Sequence, residues 1–147
     1  MLDNDVIDFE GFDNENGVNR TIVPNIVHLI YFNQVEMKFY QMINIFSIYL
    51  NSKPDYIYIH CDNCSFHGKY WQQLNQVKQI KQLLRIHKLN NGLDTIFGKQ
   101  YGFIQHKSDV FRILILMNYG GIYLENDIYV VKSLDNYRRY EMACSLE

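Results

Sequence analysis

The sequence has no surplus of basic charge and no long apolar run. Each absence excludes a class of protein. Its 147 residues carry 14 Lys and Arg against 16 Asp and Glu, a formal net charge of −2. A protein that binds a phosphodiester backbone needs a basic surface, so we expect no nucleic-acid partner. No window approaches the roughly 18 uncharged apolar residues of a membrane helix. We therefore expect no membrane segment in this chain.

The chain is also poor in cysteine and has no signal-peptide pattern. Three cysteines, Cys61, Cys64 and Cys144, leave one unpaired in any scheme, which excludes a disulfide framework. Cys61 and Cys64 lack the further Cys or His ligands of a zinc site, so we interpret them as a buried strand-end thiol and a loop thiol. The first residues are acidic, whereas a signal peptide is basic and then apolar. We expect no signal or anchor within this sequence.

The composition is that of one globular domain preceded by a polar arm. Hydrophobic residues make up 48% and aromatic residues 15% of the chain, enough for a core. Residues 1–20 are rich in Asp, Asn and Gly and predict a flexible acidic arm, with the folded domain at 21–147. Six acids precede Arg20, and from there on basic residues outnumber acidic ones by four. That surplus suits an anionic substrate, although it is also ordinary for a folded domain.

Strands and helices alternate along the domain. Apolar runs rich in β-branched and aromatic residues predict strands at 26–32, 56–61 and 84–89. Apolar residues spaced by three and four predict helices at 35–50, 68–83 and 107–118. After a Gly120-Gly121 turn, two more extended segments are predicted at 122–124 and 128–131. This alternation predicts an α/β domain with a mostly parallel sheet.

Two carboxylates, Glu125 and Asp127, lie where the extended segment 122–124 gives way to a turn. Ligands of parallel α/β sheets bind beyond the carboxyl ends of the strands. An extended backbone points residues two apart to one side, so both acids can face one pocket. Their oxygens are the ligands that Mg²⁺ or Mn²⁺ prefers, with water and substrate phosphates completing the shell. The alternative is a solvated turn, since acid-x-acid triplets are common.

Asp109 and Arg112 are three residues apart on the helix predicted at 107–118, so they share a face. One interpretation has Arg112 binding a diphosphate or sugar hydroxyl and Asp109 accepting from sugar hydroxyls. The other is an acid favoured by the helix dipole together with a surface ion pair. The Gly120-Gly121 turn predicts that this helix face and the Glu125-x-Asp127 turn come together in space.

Four segments then carry a resemblance to a known family. They are Pro24-x-Ile26-x-His28-x-Ile30-Tyr31, His106-x-Ser108-Asp109-x-x-Arg112, Gly120-Gly121-Ile122-Tyr123-Leu124-Glu125-x-Asp127 and Lys132-Ser133-Leu134. In this order they resemble the glycosyltransferases with a sugar-binding region containing the DXD motif. The sequence is thus similar to initiating mannosyltransferases, α-1,4-galactosyl/N-acetylglucosaminyltransferases and clostridial glucosylating toxins. The resemblance spans about residues 22–136.

The resemblance implies a role for each of the five candidate site residues. Asp127 matches the second acid of the motif, which coordinates Mn²⁺ or Mg²⁺ and through it the donor diphosphate. Glu125 matches the first acid, which contacts the ribose or a metal-bound water, although the family has the shorter Asp there. Asp109 and Arg112 match residues that hold the donor sugar. Tyr31 stands where the family often has a Trp that stacks on the nucleotide base, and a Tyr ring also stacks.

The function that the resemblance implies is metal-dependent, retaining transfer of a sugar from a nucleoside-diphosphate sugar to an acceptor that the sequence does not identify. No nucleophile or base is assigned, because His28 and His60 on predicted strands are interpreted as satisfied core residues. The family's GT-A-like sheet, flanked by helices, normally continues past the DXD strand, so we expect a C-terminally truncated domain. The alternative function is a non-catalytic nucleotide-sugar-binding module or an inactive relative. The resemblance suggests the Golgi or another secretory compartment, although the sequence itself does not determine the location.

Overall fold

The protein is an α/β domain built on a parallel sheet. The computed structural model describes residue 13 and residues 15–89, 95–96 and 98–145. In chain order the elements are β1 (Ile26–Tyr31), α1 (Phe39–Ser47), β2 (Tyr56–Cys61), α2 (Lys69–Gln76), α3 (Lys78–Leu83), β3 (Leu84–Lys88), β4 (Thr95–Ile96), β5 (Lys99–Gln100), α4 (Ile104–Tyr119) and β6 (Ile122–Tyr123). A π-helical segment, Ile48–Ser52, continues α1, and a 3₁₀ helix spans Asp135–Arg139.

The four-stranded sheet has the order β3-β2-β1-β6, and all of its neighbours pair in parallel. Alternate residues of β1 face opposite sides. Val27, Leu29 and Tyr31 pack into the core cluster shared with α1, α2 and α3, whereas Ile30 packs with residues of α4. A parallel sheet covered on both faces explains why β1 reads as a continuous apolar run. The predicted fold class, an α/β domain with helices flanking a parallel sheet, is confirmed.

Successive strands are added to the sheet first on one side of β1 and then, with β6, on the other side. The chain moves outward from β1 through β2 to β3, and then α4 returns it over the opposite face to β6 on the far side of β1. Such a reversal is a topological switch point, where the connections diverge and leave a crevice at the carboxyl ends of the strands. The topology therefore predicts a binding crevice beyond the ends of β1 and β6.

The helix predicted at 68–83 is two helices, with Val77 extended between them. Leu74 and Ile80 are both fully buried. On one continuous helix, two residues six positions apart point in directions about 120° apart, so one of the two side chains would point away from the sheet. The break at Val77 lets both side chains reach the core, a requirement that the local spacing did not reveal.

The predicted strand at 128–131 is wrong. This segment is irregular, and Val130 is buried. The reason is that polar side chains of α1 and of the π-helical segment take its backbone hydrogen bonds. The Val130 N–H donates to Ser47 Oγ at 3.0 Å, and the Asn51 amide donates to Val130 O at 2.7 Å. The backbone of this β-branched segment is therefore hydrogen-bonded to helix side chains and not to a neighbouring strand.

The predicted acidic arm, residues 1–20, lies largely outside the described residues, and its boundary stays a prediction. Within the described part, Val18 is buried and its N–H donates to Arg139 O at 3.0 Å, while Arg139 Nε donates back to Val18 O at 2.8 Å. Ile22 and Val23 both donate to Arg138 O. Across the described residues, no helix combines the length and apolar character needed to span a membrane.

Cys61 and Cys64 form a disulfide, which corrects their interpretation as two separate thiols. β2 ends at Cys61, and the turn through Asp62 brings the Cα of Cys64 back to 5.4 Å from that of Cys61, within the range of a disulfide. Three cysteines exclude a framework, but one bond and one exposed free cysteine, Cys144, remain possible. The Asp62 carboxylate inside this loop accepts the Asn33 N–H at 3.0 Å, which anchors the chain just after β1.

Candidate functional site

The candidate site lies at the carboxyl edge of the sheet beside the switch point. Beyond β6, the Leu124 N–H still donates to His28 O at 3.1 Å, and then the turn from Glu125 to Ile128 leaves the sheet. The N-terminal half of α4 crosses the same edge, with Phe111 packed edge-to-face on Phe32 at a centroid separation of 5.4 Å. The predicted proximity of the helix and the acidic turn is therefore present.

Arg112 joins three of the five predicted site residues into one network. One of its guanidinium nitrogens, Nη1, donates to Glu125 Oε1 at 3.1 Å, and the other, Nη2, donates to Asp109 Oδ1. The side chains of Arg112, Asp109 and Glu125 are 38%, 50% and 48% exposed. Ion pairs this exposed contribute at most about 1 kcal/mol to stability. The network therefore holds the arginine in one orientation more than it stabilises the fold.

Tyr123 completes the surroundings of Glu125. Its hydroxyl donates to Glu125 Oε2 at 2.8 Å, and its ring centroid lies 5.6 Å from the Arg112 guanidinium carbon. Burial, together with the adjacent carboxylate, raises the pKa of Tyr123 above its ordinary value. The phenol therefore stays protonated as a donor, and both oxygens of Glu125 are engaged.

Asp127 presents its carboxylate to solvent. It is exposed in the turn that follows Glu125, and in the part of the chain that the structure describes no N–H or O–H donates to it. Of the two predicted metal ligands, Asp127 is thus open and Glu125 is occupied. Among the described residues, no group of three or more His, Cys, Asp or Glu side chains forms a metal cage. An ion held here would need ligands from a bound phosphate, as Mg²⁺ often does.

Tyr31 is not brought to this group. It is 1% exposed, packs edge-on against Phe66 at a centroid distance of 5.7 Å, and its hydroxyl has no partner among the described residues. Burial raises its pKa. The strand alternation explains this position, since Tyr31 points to the face covered by α1–α3 while Arg112 lies on α4. Stacking of Tyr31 on a base stays a prediction, and it would require the ring to leave the core.

Asn44 of α1 was not among the predicted site residues, yet it is buried and its amide reaches the acidic turn. Asn44 Nδ2 donates to Glu125 O at 3.2 Å and to Ile128 O at 2.6 Å. A signal for it exists, because Asn44, Ser47 and Asn51 form a polar row with helical spacing on a mostly apolar helix. The row identifies a polar contact, but the spacing does not say which segment receives it.

Three histidines form a hydrogen-bonded row under the Gly120-Gly121 turn. His28 Nε2 lies 3.1 Å from Gly120 O, His28 Nδ1 lies 2.9 Å from His60 Nε2, and His60 Nδ1 lies 3.0 Å from His87 Nδ1. A carbonyl only accepts, so His28 Nε2 carries a proton, and with neutral rings His60 Nε2 and His87 Nδ1 are then the donors. His28 and His60 are buried and bonded, as expected for core residues.

Stability should fall with acidification because of this row. Burial lowers the pKa of His28 to about 4 and that of His60 to about 3, against 6.5 for an ordinary histidine. Below pH 6.5 these histidines take up protons in the unfolded chain but stay neutral in the folded chain. The free energy of unfolding therefore has its full value above pH 6.5 and falls as the pH drops toward 4 for His28 and 3 for His60. Each proton contributes up to about 1.4 kcal/mol per pH unit. Urea midpoints measured between pH 7 and 5 should decline.

The matched variants for this measurement are His28→Gln and His106→Gln, since His106 is exposed on α4. We expect a flatter pH dependence for the first and a wild-type slope for the second. A wild-type midpoint that does not move between pH 7 and 5 would contradict the burial of two neutral histidines.

The fold is a doubly wound α/β domain, and an arginine and an exposed carboxylate lie near its switch point. The model of the family described as glycosyltransferase sugar-binding region containing DXD motif matches residues 39–143. The chain belongs to this family.

Comparisons with individual proteins gave two similar chains. The chain is 30% identical over 135 residues to glucan organizing enzyme 1 of Cryptococcus neoformans var. grubii serotype A, an alignment that covers 86% of this chain and 34% of that protein. The chain therefore spans about a third of the length of this relative. Among solved structures it is similar to the PaToxG glycosyltransferase, with a TM-score of 0.47 and 20% identity over 76% of this chain and 45% of the other.

Proposed function

We propose that this chain binds the nucleoside-diphosphate sugar of a metal-dependent, retaining glycosyltransferase and takes part in transfer of the sugar to an acceptor. The observation that carries the proposal is the exposed Asp127 carboxylate two residues after Glu125, which Arg112 binds, in a chain of the DXD family. The switch point of a doubly wound sheet is where nucleotides bind in such folds. A cation and a guanidinium at that point suit a diphosphate.

Asp127 is the residue that would hold Mn²⁺ or Mg²⁺, because its oxygens are unengaged and such ions take carboxylate and phosphate oxygens together. The cation would neutralise the charge that develops on the nucleoside diphosphate when the sugar leaves. Glu125 serves the site in another way: with one oxygen on Arg112 and one on Tyr123, it orients the guanidinium. A ribose or a metal-bound water would use the remaining lone pairs of these oxygens, on a side chain that is 48% exposed.

Arg112 and Asp109 would bind the donor itself. The guanidinium uses two of its five N–H groups on carboxylates, and the side chain is 38% exposed, so further N–H groups remain for a diphosphate or a sugar hydroxyl. The Asp109 carboxylate is half exposed beside it and can accept from sugar hydroxyls. Donor recognition thus rests on polar groups that this network already orients before the donor arrives.

A second function is a non-catalytic nucleotide-sugar-binding module. One observation favours it: each Glu125 oxygen already accepts a hydrogen bond inside the protein. In this case the donor binds as above and no sugar is transferred. Release of nucleoside diphosphate over time separates the two functions, because a binding module releases none.

The location that we propose is a compartment of the secretory pathway. The support is the Cys61–Cys64 disulfide, since such bonds persist in oxidising compartments and are rare in the cytosol.

The test is calorimetric titration of the purified chain with UDP-sugars and GDP-mannose, each with Mn²⁺ and with EDTA. We expect one donor to bind at least about tenfold more tightly with the metal, as for a ligand whose phosphates complete the coordination shell. The nucleoside monophosphate is the matched control, because it lacks the second phosphate and should gain little from Mn²⁺. Equal affinities with and without metal for every donor, in a chain folded by circular dichroism, would refute the proposal.

A further inference from the structure

Three polar side chains in one row hold the backbone that follows Glu125. The row consists of Asn44 and Ser47 of α1 and Asn51 of the π-helical segment, and it bonds to backbone atoms of Glu125, Ile128 and Val130. Spacings of three and four put the three side chains on one helix face. This face is turned toward the acidic turn about 80 residues further along the chain.

Asn44 alone of this row contacts the turn that carries Asp127. Its amide nitrogen donates to Glu125 O at 3.2 Å on one side of Asp127 and to Ile128 O at 2.6 Å on the other. The turn's own bond, from the Ile128 N–H to Glu125 O, is long at 3.5 Å. The Asn44 amide is therefore the shorter link between the two ends of the turn.

Stability alone does not account for an asparagine at this position. Asn44 is 1% exposed, and its Oδ1 is a buried acceptor with no partner among the described residues. A buried acceptor without a hydrogen bond destabilises the folded state, which offsets part of what the two donated bonds contribute. The amide nonetheless makes two bonds, and both of them restrain the same turn.

We infer that Asn44 is a positioning residue that holds the Glu125–Ile128 turn so that the Asp127 carboxylate faces the donor crevice. This inference rests on the proposed function of the site. Asn44 touches neither donor nor cation, and it acts through the backbone on either side of Asp127. Asn51, which bonds to Val130 O three residues beyond Asp127, anchors the chain after the turn and leaves the turn itself to Asn44.

The experiment compares Asn44→Leu with Asn51→Leu as the matched control. Leucine has the same number and branching of side-chain heavy atoms as asparagine, and it removes the donors. Donor affinity is titrated with Mn²⁺ and with EDTA, and the melting temperature is recorded. We expect Asn44→Leu to lose about tenfold or more of the Mn²⁺-dependent affinity, the usual range for groups that orient a metal ligand. Its affinity in EDTA should stay that of the wild type, and Asn51→Leu should keep the full metal-dependent gain.

Two results would overturn the inference. One is wild-type Mn²⁺-dependent affinity in Asn44→Leu; the other is an equal loss with Mn²⁺ and with EDTA, which is the mark of a general structural role. Should Asn44→Leu fail to fold by circular dichroism, Asn44→Ser replaces it. A hydroxyl has one proton and can reach only one of the two carbonyls, so we expect a partial loss, and a fully wild-type serine variant overturns the inference as well.

Hydrogen–deuterium exchange separates this inference from the proposed function. Without any ligand, the amides of residues 124–129 should exchange faster in the folded Asn44 variant than in the wild type or in Asn51→Leu. If the wild type binds no donor, the proposed function fails, and exchange alone decides whether Asn44 holds the turn. Unchanged exchange of this segment overturns the inference whatever the donor does.

Discussion

Asp127→Ala is expected to abolish Mn²⁺-dependent binding of the nucleoside-diphosphate sugar while the chain stays folded. Asp127 is exposed at the carboxyl edge, and in the described part of the chain nothing donates to it, so its removal breaks no internal bond. Glu125 cannot readily replace it, since both Glu125 oxygens are engaged. Changes outside the coordination shell cost about 10–100-fold in metal affinity, so loss of a ligand should cost more than about 100-fold.

The control for this prediction is Asp55→Ala. Asp55 is an exposed acid that directly precedes β2, so it lies at the opposite edge of the sheet, and the substitution makes the same change in net charge. We expect its titrations to match the wild type. Asp127→Asn is the conservative variant: it keeps one oxygen ligand without the charge and should retain a small part of the metal dependence. Unchanged metal dependence in Asp127→Ala would return the Glu125-x-Asp127 triplet to a solvated turn.

Gly121→Ala is expected to have the largest effect on stability. Gly121 has φ +88°, and a Cβ there would lie 2.6 Å from Ile26 O and 3.0 Å from His28 Nε2. The backbone strain costs about 1–2 kcal/mol for a residue with a side chain, and overpacking against backbone adds about 1–3 kcal/mol. We expect a loss of about 3 kcal/mol or more in the free energy of unfolding, measured by urea denaturation. Because Gly121 directly precedes β6, donor binding should weaken too.

Gly98→Ala is the control that separates the two causes, the steric contact of a Cβ at position 121 with β1 and the backbone strain of a positive φ. Gly98 also has a positive φ, +75°, but among the described residues no atom lies within 4 Å of the position that a Cβ would take. Its substitution should therefore cost only the conformational part, about 1–2 kcal/mol. Equal losses in the two alanine variants would show that the close approach of Gly121 to β1 does not limit stability.

Local patterns in the sequence predicted most of the elements and most residues of the candidate site. β1, β2 and β3 lie within a residue or two of the strands that their β-branched and aromatic runs predict, and α4 contains the predicted helix. These patterns indicate which side chains point to the same side of one element, because side-chain direction repeats every two residues in a strand and every 3.6 residues in a helix. Because ligands of such sheets bind beyond the strand ends, Glu125 and Asp127 were predicted as site residues. The spacing of three predicted that Asp109 and Arg112 share a helix face.

The tertiary structure decided which face each residue serves and which distant partners it meets. Tyr31 is in the core because its side of β1 is covered by α1–α3, and no feature of its neighbours in the sequence specifies that face. Asn44 bonds to Glu125 and Ile128 across 81 and 84 residues. Segment 128–131 has strand composition but finds its hydrogen bonds on a helix. Contacts of this range depend on how whole elements pack, whereas periodicity records only the arrangement within one of them.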